Sequence, residues 1–279
     1  MFDCDGTLIK GDIGEAMFYH QIEHFLLRVS PAQVWTDHPR LEELSNLYES
    51  LSDLPPEKAV HDRRFVSLAD MMLGWYFDQL SEGKTEKACS DIVRLFAGYS
   101  RAEAQDIARV TLRKEIGLPA GSRSLGTLPL PQGIRYIKES VDLLFLLRQR
   151  GFDIWVVSGS SQWSVEAVSH RLGVRPDHVI GIDLRENRGF MTGAAKQPVP
   201  VLGGKVAALK SRGTTRPLLV VSDSTYDIPL FEYSAGSRIL IRSNGEVDFF
   251  AAGKMNRDQS WVVIDPPTYL DQNTWPTHP

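Results

Sequence analysis

Three times along this chain an apolar run stops at a cluster of acidic or hydroxyl residues. The first stop is the tightest: Met1-Phe2-Asp3-Cys4-Asp5-Gly6-Thr7-Leu8. Residues i and i+2 of an extended strand project to one side, so Asp3 and Asp5 can address one metal ion and one substrate group while Cys4 turns into the core. Gly6 permits a sharp backbone turn, and Thr7 offers a hydroxyl and a turn start. The second run, Asp153–Val157, ends in Ser158-Gly159-Ser160-Ser161, ahead of a helix expected over Gln162–Leu172. The third, Pro217–Val221, ends in Ser222-Asp223-Ser224-Thr225-Tyr226-Asp227. Short apolar runs of this kind read as buried parallel strands. Ligands of such sheets gather outside the carboxyl ends of the strands. The chain is therefore constrained to an α/β fold in which these three clusters meet.

Each cluster alone has an ordinary explanation. The oxygen pair of Asp3 and Asp5 suits Mg2+, which takes few protein oxygens and keeps water and phosphate as its other ligands; an Asp-rich turn would look the same. Ser158 and Gly159 form a strand–turn–helix anion site, although Ser158 also fits a plain helix N-cap. Gly203-Gly204-Lys205 opens a helix and can extend Lys205 as a point charge for phosphate. Most lysines are solvated, and Lys210 is a local competitor. Asp223 and Asp227 are four apart, so a turn can join them. Acids at a buried strand end are costly without a metal or cation beside them.

Residues from about 130 onward alternate helix and strand, which argues a parallel sheet covered by helices. A helix is expected near Ile134–Arg150, later strands at Arg238–Ile241 and Trp261–Ile264, and a short helix near Pro229–Tyr233. From Asp12 to about Leu130 the pattern is helical. Met17, Phe18, Ile22, Phe25, Leu26 and Val29 keep helical spacing, as do Phe65, Leu68, Met72, Trp75 and Leu80. Ser100 and Glu103 make a capping box ahead of Ala104–Ile116. Gly117–Gly133, rich in Gly, Pro and Ser, reads as a hinge. The division is thus 1–14 plus 131–279 as the core and 15–130 as a helical insertion. Trp35, Tyr48, Trp75, Tyr76 and Phe77 read mainly as packing within the insertion; one or two could line a pocket and hold a quaternary ammonium by cation–π attraction. His20, His24, His38 and His61 show no convincing metal spacing, and His20 and His24 read as sharing a surface.

The 279 residues suffice for one large domain or two small ones, and 42% are hydrophobic. A net charge of −4 argues against a nucleic-acid or polybasic membrane surface. Two cysteines, Cys4 and Cys89, make no disulfide framework. No apolar run approaches the roughly 18 residues of a membrane span, and no signal peptide is visible. The expectation is a cytoplasmic protein. Only Met1 and Phe2 precede Asp3, whereas a central strand needs roughly five residues, so further N-terminal residues are expected in the native chain.

Taken in order, FDCDGTL, VVSGSS, GGK and VVSDSTYD resemble the haloacid dehalogenase superfamily of phosphohydrolases. HVIGIDLRENRGFMTG and the DSxxD form of the last motif look like its phosphoserine-phosphatase branch. GIRYIKESVDLLFLLRQRGFDIWVVSGSS is similar to bacterial phosphorylcholine phosphatases. The resemblance implies a Rossmann-like core whose helical insertion is a cap over the site. It implies Asp3 as nucleophile, Asp5 as acid and base, and Mg2+ held by Asp3, the Asp5 carbonyl and Asp223. Ser158, Gly159 and Lys205 would bind phosphate, and Asp227 would orient the metal shell or Lys205. Asp12 would meet a substrate amine; a helix N-cap is its competing role. The implied activity is hydrolysis of a small, amine-bearing phosphate ester, with no nucleic-acid or membrane partner. A phosphotransferase or mutase of the same chemistry is the alternative, as is a non-catalytic relic. The oligomeric state is left open.

Overall fold

Phe2 is the seam on which the central sheet is joined. In the computed structural model, which describes residues 1–242, 260–265 and 267–270, Phe2 bridges in parallel to Val156 on one side and Val221 on the other. Its amide donates to the Trp155 carbonyl at 2.9 Å and its carbonyl accepts from Val157 N at 3.0 Å, while Asp3 N donates to the Val221 carbonyl at 2.9 Å. The hydrogen bonds alternate sides, as those of a central strand must. Met1, Phe2 and Asp3 are thus together paired on both sides within the sheet.

After this segment comes β1 (Ile9–Lys10), then α1 (Ile13–Glu23), α2 (Pro31–Val34), α3 (Leu41–Ser52), α4 (Pro56–Ala59), α5 (Arg63–Ser81), α6 (Thr85–Arg94) and α7 (Arg101–Gly117). The hairpin β2 (Gly121–Leu125) and β3 (Leu128–Gln132) leads to β4 (Arg135–Ile137) and α8 (Lys138–Gln149). Then follow β5 (Val156–Ser161), α9 (Gln162–His170), β6 (Val179–Ile182) and a second hairpin, β7 (Leu184–Asn187) with β8 (Phe190–Ala195). The remainder is α10 (Gly204–Ser211), β9 (Leu219–Ser222), α11 (Ile228–Tyr233), β10 (Ser237–Ile241), β11 (Trp261–Ile264) and β12 (Tyr269–Leu270). The parallel sheet runs β6, β5, the Phe2 segment, β9, β10, β11. β1, β4 and β12 form a separate antiparallel ribbon.

Phe2, Cys4, Leu8, Ile13, Val156 and Val221 share one core. A second core, with Phe18, Trp35, Leu44, Phe65, Met72 and Tyr76, lies within the helices. Met17, Phe96, Trp163 and Val201 belong to a third that joins helices to sheet, and Phe96 packs edge-on against Trp163 at 5.0 Å between centroids. Among the described residues no helix is long and apolar enough to cross a membrane.

The structure departs from the sequence reading in four places. Gly117–Gly133 is not a hinge loop: most of it is the hairpin β2–β3, which buries Leu125 and Leu130. Asp70 of α5 anchors its turn, accepting from Thr127 N at 2.7 Å and from Thr127 Oγ1 at 2.9 Å. Its prolines, Pro129 and Pro131, sit in a two-stranded ribbon, where a missing donor is tolerated. The helix expected from Ile134 starts only at Lys138, because Arg135–Ile137 pair between β1 and β12. The second strand lies three residues further along than Asp153–Val157, and takes Ser158 and Gly159 into its length. Helix α1 stops at Glu23; Phe25, with φ of 50°, turns the chain away before Val29 is reached. Of the expected core segment 131–279, residues 243–259, 266 and 271–279 lie outside the described residues.

His20 is buried on α1, and its Nδ1 has no hydrogen-bond partner among the described residues. Burial first, then the charges of His24 and Lys114, push its pKa down to about 4. The unfolded chain takes this proton near pH ~6.5. The associated stability is thus present above that value and is lost as pH falls toward 4, by up to about 3 kcal/mol. His20→Gln is expected to flatten the decline in Tm between about pH 7 and pH 4.5. Parallel declines for wild type and variant would show that His20 does not carry the acid sensitivity.

Candidate active site

The Phe2 seam carries Asp3 to the carboxyl end of the sheet, beside the ends of β5 and β9. Asp3 Oδ1 accepts from Cys4 N at 2.8 Å and lies 2.8 Å from Lys205 Nζ. Cys4 itself is fully buried, as the strand alternation requires. Lys205, at the start of α10, is 6% exposed and also contacts Asp227 Oδ2 at 2.7 Å. Asp227 is held in turn by Ser222 Oγ, which donates to the same oxygen at 2.6 Å. Lys210 points elsewhere, its ammonium over the Tyr233 ring at 5.2 Å. The structure thus brings Asp3, Lys205 and Asp227 into one buried ion cluster.

Asp223 joins them from the end of β9. Thr7 Oγ1 donates to Asp223 Oδ1 at 3.2 Å. Gly6 has φ of +69°, and a Cβ there would come within 1.9 Å of Asp223 Oδ2. The turn after Asp5 therefore needs glycine twice: for its left-handed backbone and for the space the carboxylate fills. Burial pushes the Asp3 carboxyl well above its usual range; Lys205 opposes this, and the Asp227 and Asp223 charges add to it. Among the described residues, Lys205 is the cation that pairs with both Asp3 and Asp227. A hard cation on the oxygens of Asp3 and Asp223 would offset the cost of burying these acids together, and Asp227 Oδ1, buried without a partner among the described residues, is a further open acceptor. This donor set fits Mg2+.

Asp5 is held separately. Its Oδ1 accepts from Ile13 N at 2.7 Å, and its Oδ2 accepts from Ser158 Oγ at 3.0 Å and Ser160 Oγ at 2.7 Å. Burial raises its pKa, and these three donors resist the rise. Ser158 does not cap α9; Ser161 does, accepting from Ser164 N. Gly159 lies between them in β5, where the pairing with β6 slips register. Asp12 caps α1, accepting from Glu15 N at 2.8 Å, so its competing role is realised.

Sequence reasoning passed over Glu15 and Ser160. Glu15 stands one helical turn after Asp12, which is the signal that could have found it. Its two oxygens accept from Tyr19 Oη at 2.8 Å and Tyr76 Oη at 3.1 Å. Asp12, Glu15 and Tyr19 line a cavity of about 410 Å³ together with Lys10 and Glu115. Burial raises both Asp12 and Glu15, with Asp5 adding to each. Burial and then the charges of Asp12, Glu15 and Asp5 also lift the Cys89 thiol of α6. Tyr76, named as one of the packing aromatics, reaches the site through its hydroxyl; Trp35 stays in the helical core. The His20, Glu23 and His24 ligand atoms do lie within 4.8 Å of one another. However, Glu23 is bonded to Lys114 at 2.7 Å with Arg123 at 3.9 Å, and those charges oppose a metal ion.

Gly6→Ala should strain the turn by about 1–2 kcal/mol and displace Asp223. The expected result is a folded protein with a lower Tm and weaker Mg2+ binding by calorimetry. Unchanged Mg2+ affinity would remove Asp223 from the metal site.

The haloacid dehalogenase-like hydrolase family model matches residues 1–232. The phosphoserine phosphatase of Halobacterium salinarum (strain ATCC 29341 / DSM 671 / R1) is 32% identical over 143 residues, which is 50% of this chain and 67% of that protein. Among solved structures, a conserved protein of unknown function from Anaerococcus prevotii DSM 20548 superposes with a TM-score of 0.72 at 16% identity, over 93% of this chain and 83% of that one. A protein of unknown function from Bordetella pertussis Tohama I gives 0.58 at 18% identity, over 95% and 96%. These two likenesses concern the fold alone. With the family model spanning the acid pair, the serine turn, the buried lysine and the last acidic cluster, the chain belongs to the haloacid dehalogenase-like hydrolases.

Proposed function

We propose that this chain is a Mg2+-dependent phosphomonoesterase working through an aspartyl-phosphate on Asp3, with a small amine-bearing phosphate ester as substrate. The carrying observation is the separation of roles: Asp3 is paired with Lys205 at 2.8 Å, while Asp5, two residues on, has its own three donors and, among the described residues, no lysine partner. The likeness to a phosphoserine phosphatase supports the same reading.

In this mechanism Asp3 attacks phosphorus and the ester oxygen leaves, splitting one hard step into two. Asp5 gives that oxygen its proton and then takes one from the attacking water. Its burial-raised pKa favours the protonated form needed first. Ser158, Gly159 and Lys205 hold the phosphoryl oxygens where charge accumulates. Asp227 and Ser222 fix the Lys205 ammonium. Asp3, the Asp5 carbonyl and Asp223 would hold Mg2+, which when bound neutralises phosphate charge. Residues 15–130 act as a cap over the core of 1–14 and 131–279, excluding water and selecting the leaving group.

Asp3→Asn is expected to abolish turnover with the fold intact, and a chelator to abolish it reversibly in the wild type. Phosphate release retained above roughly a hundredth of wild type in Asp3→Asn would rule out the nucleophile, since a removed nucleophile costs far more.

Asp12 and Glu15, two half-buried acids lining one cavity with no ion pair among the described residues, support the amine. A carboxylate facing an ammonium at about 4 Å gains on the order of 1–4 kcal/mol, a tenfold or larger preference. Asp12→Asn and Glu15→Gln should each weaken turnover of phosphoserine or phosphorylcholine while sparing phenyl phosphate. Equal losses on both kinds of ester would make these acids structural.

A further inference from the structure

Asp5 Oδ2 accepts two hydroxyls at once, Ser158 Oγ at 3.0 Å and Ser160 Oγ at 2.7 Å. A serine hydroxyl has one proton to donate. If Ser158 turns that proton toward a phosphoryl oxygen, as the proposed function requires, it releases Asp5. Ser160 is then the remaining side-chain donor on that oxygen among the described residues. It is well placed to stay: it is 6% exposed, and its amide donates to Ser158 Oγ at 3.0 Å. The opposite oxygen of Asp5 is fixed by Ile13 N at 2.7 Å. Two donors on different oxygens define the plane of a carboxyl group; one donor leaves it free to swing.

The neighbouring helix is shaped around this hydroxyl. A Cβ at Gly14 of α1 would come within 2.6 Å of Ser160 Oγ and 3.1 Å of its Cβ. Gly14 costs helix stability relative to alanine, and the space it leaves is filled by Ser160.

We infer that Ser160 is a positioning residue: it holds the Asp5 carboxyl in line with the leaving oxygen when Ser158 turns to the phosphate. The inference rests on the proposed phosphatase reading. Leaving groups differ in their need for a positioned acid. Phenolate leaves poorly without a proton, whereas p-nitrophenolate leaves unaided. kcat/KM reports the steps through enzyme phosphorylation, so the comparison isolates proton delivery. Neither ester carries an amine, so any disturbance of Asp12 is felt alike by both.

Ser160→Ala is expected to lower kcat/KM for phenyl phosphate about tenfold or more, part of the roughly 10²–10⁴-fold that general acid catalysis supplies, and for p-nitrophenyl phosphate by less than about threefold, because that ester draws little on the acid. Gly14→Ala, which crowds the hydroxyl from the helix side, should show the same selective loss and carries the test if Ser160→Ala does not fold. Equal losses on the two esters, or no loss, would overturn the positioning role while leaving the phosphatase reading intact. A wild type that hydrolyses neither ester with Mg2+ would sink that reading, and this inference with it.

Discussion

The Lys205 ammonium, 2.8 Å from Asp3 and 2.7 Å from Asp227, is the interaction on which the rest of the site depends. Burying these groups is costly, and their attraction repays the cost only if geometry and further hydrogen bonds are good. The chain meets that condition locally. Cys4 N and Ser222 Oγ each supply a further donor to the paired oxygens. Removing the lysine would leave two acids stranded beside a third, Asp223. The cluster therefore ties the Phe2 seam, α10 and the end of β9 to one point of charge.

Much of this was legible in the sequence because strand periodicity fixes direction. Alternation put Asp3 and Asp5 on one side and Cys4 in the core, and Cys4 is fully buried. Gly203-Gly204 announced the start of α10 and brought Lys205 forward, with Lys210 left as its competitor until the structure placed Lys205 beside Asp3. The capping box at Ser100 and Glu103 likewise gave the start of α7. These are signals that neighbours in the chain settle by themselves.

What was not legible depended on partners far along the chain. Arg135–Ile137 look helical beside α8, and only pairing with β1 and β12 makes them a strand. The Gly117–Gly133 stretch has loop composition, and Asp70 from α5 turns part of it into a hairpin. Ser160 reads as one small residue among several; its bond to Asp5 joins residues 155 apart in the chain. Glu15 is marked in the sequence only by its spacing from Asp12; its partner Tyr76 comes from α5. Composition cannot foresee such meetings, because it carries no distance.

The seam at Phe2 has a consequence for assembly. Its two neighbours, Val156 and Val221, lie far along the chain, so a long loop must close on each side before either pairing forms. Contacts of such sequence separation are slow to form. Until they form, β5 and β9 have nothing between them, and Asp3 has neither Lys205 nor Asp223 for company. The proposed chemistry is thus confined to the completed fold: no partly folded fragment holds Asp3, Lys205 and Asp223 together.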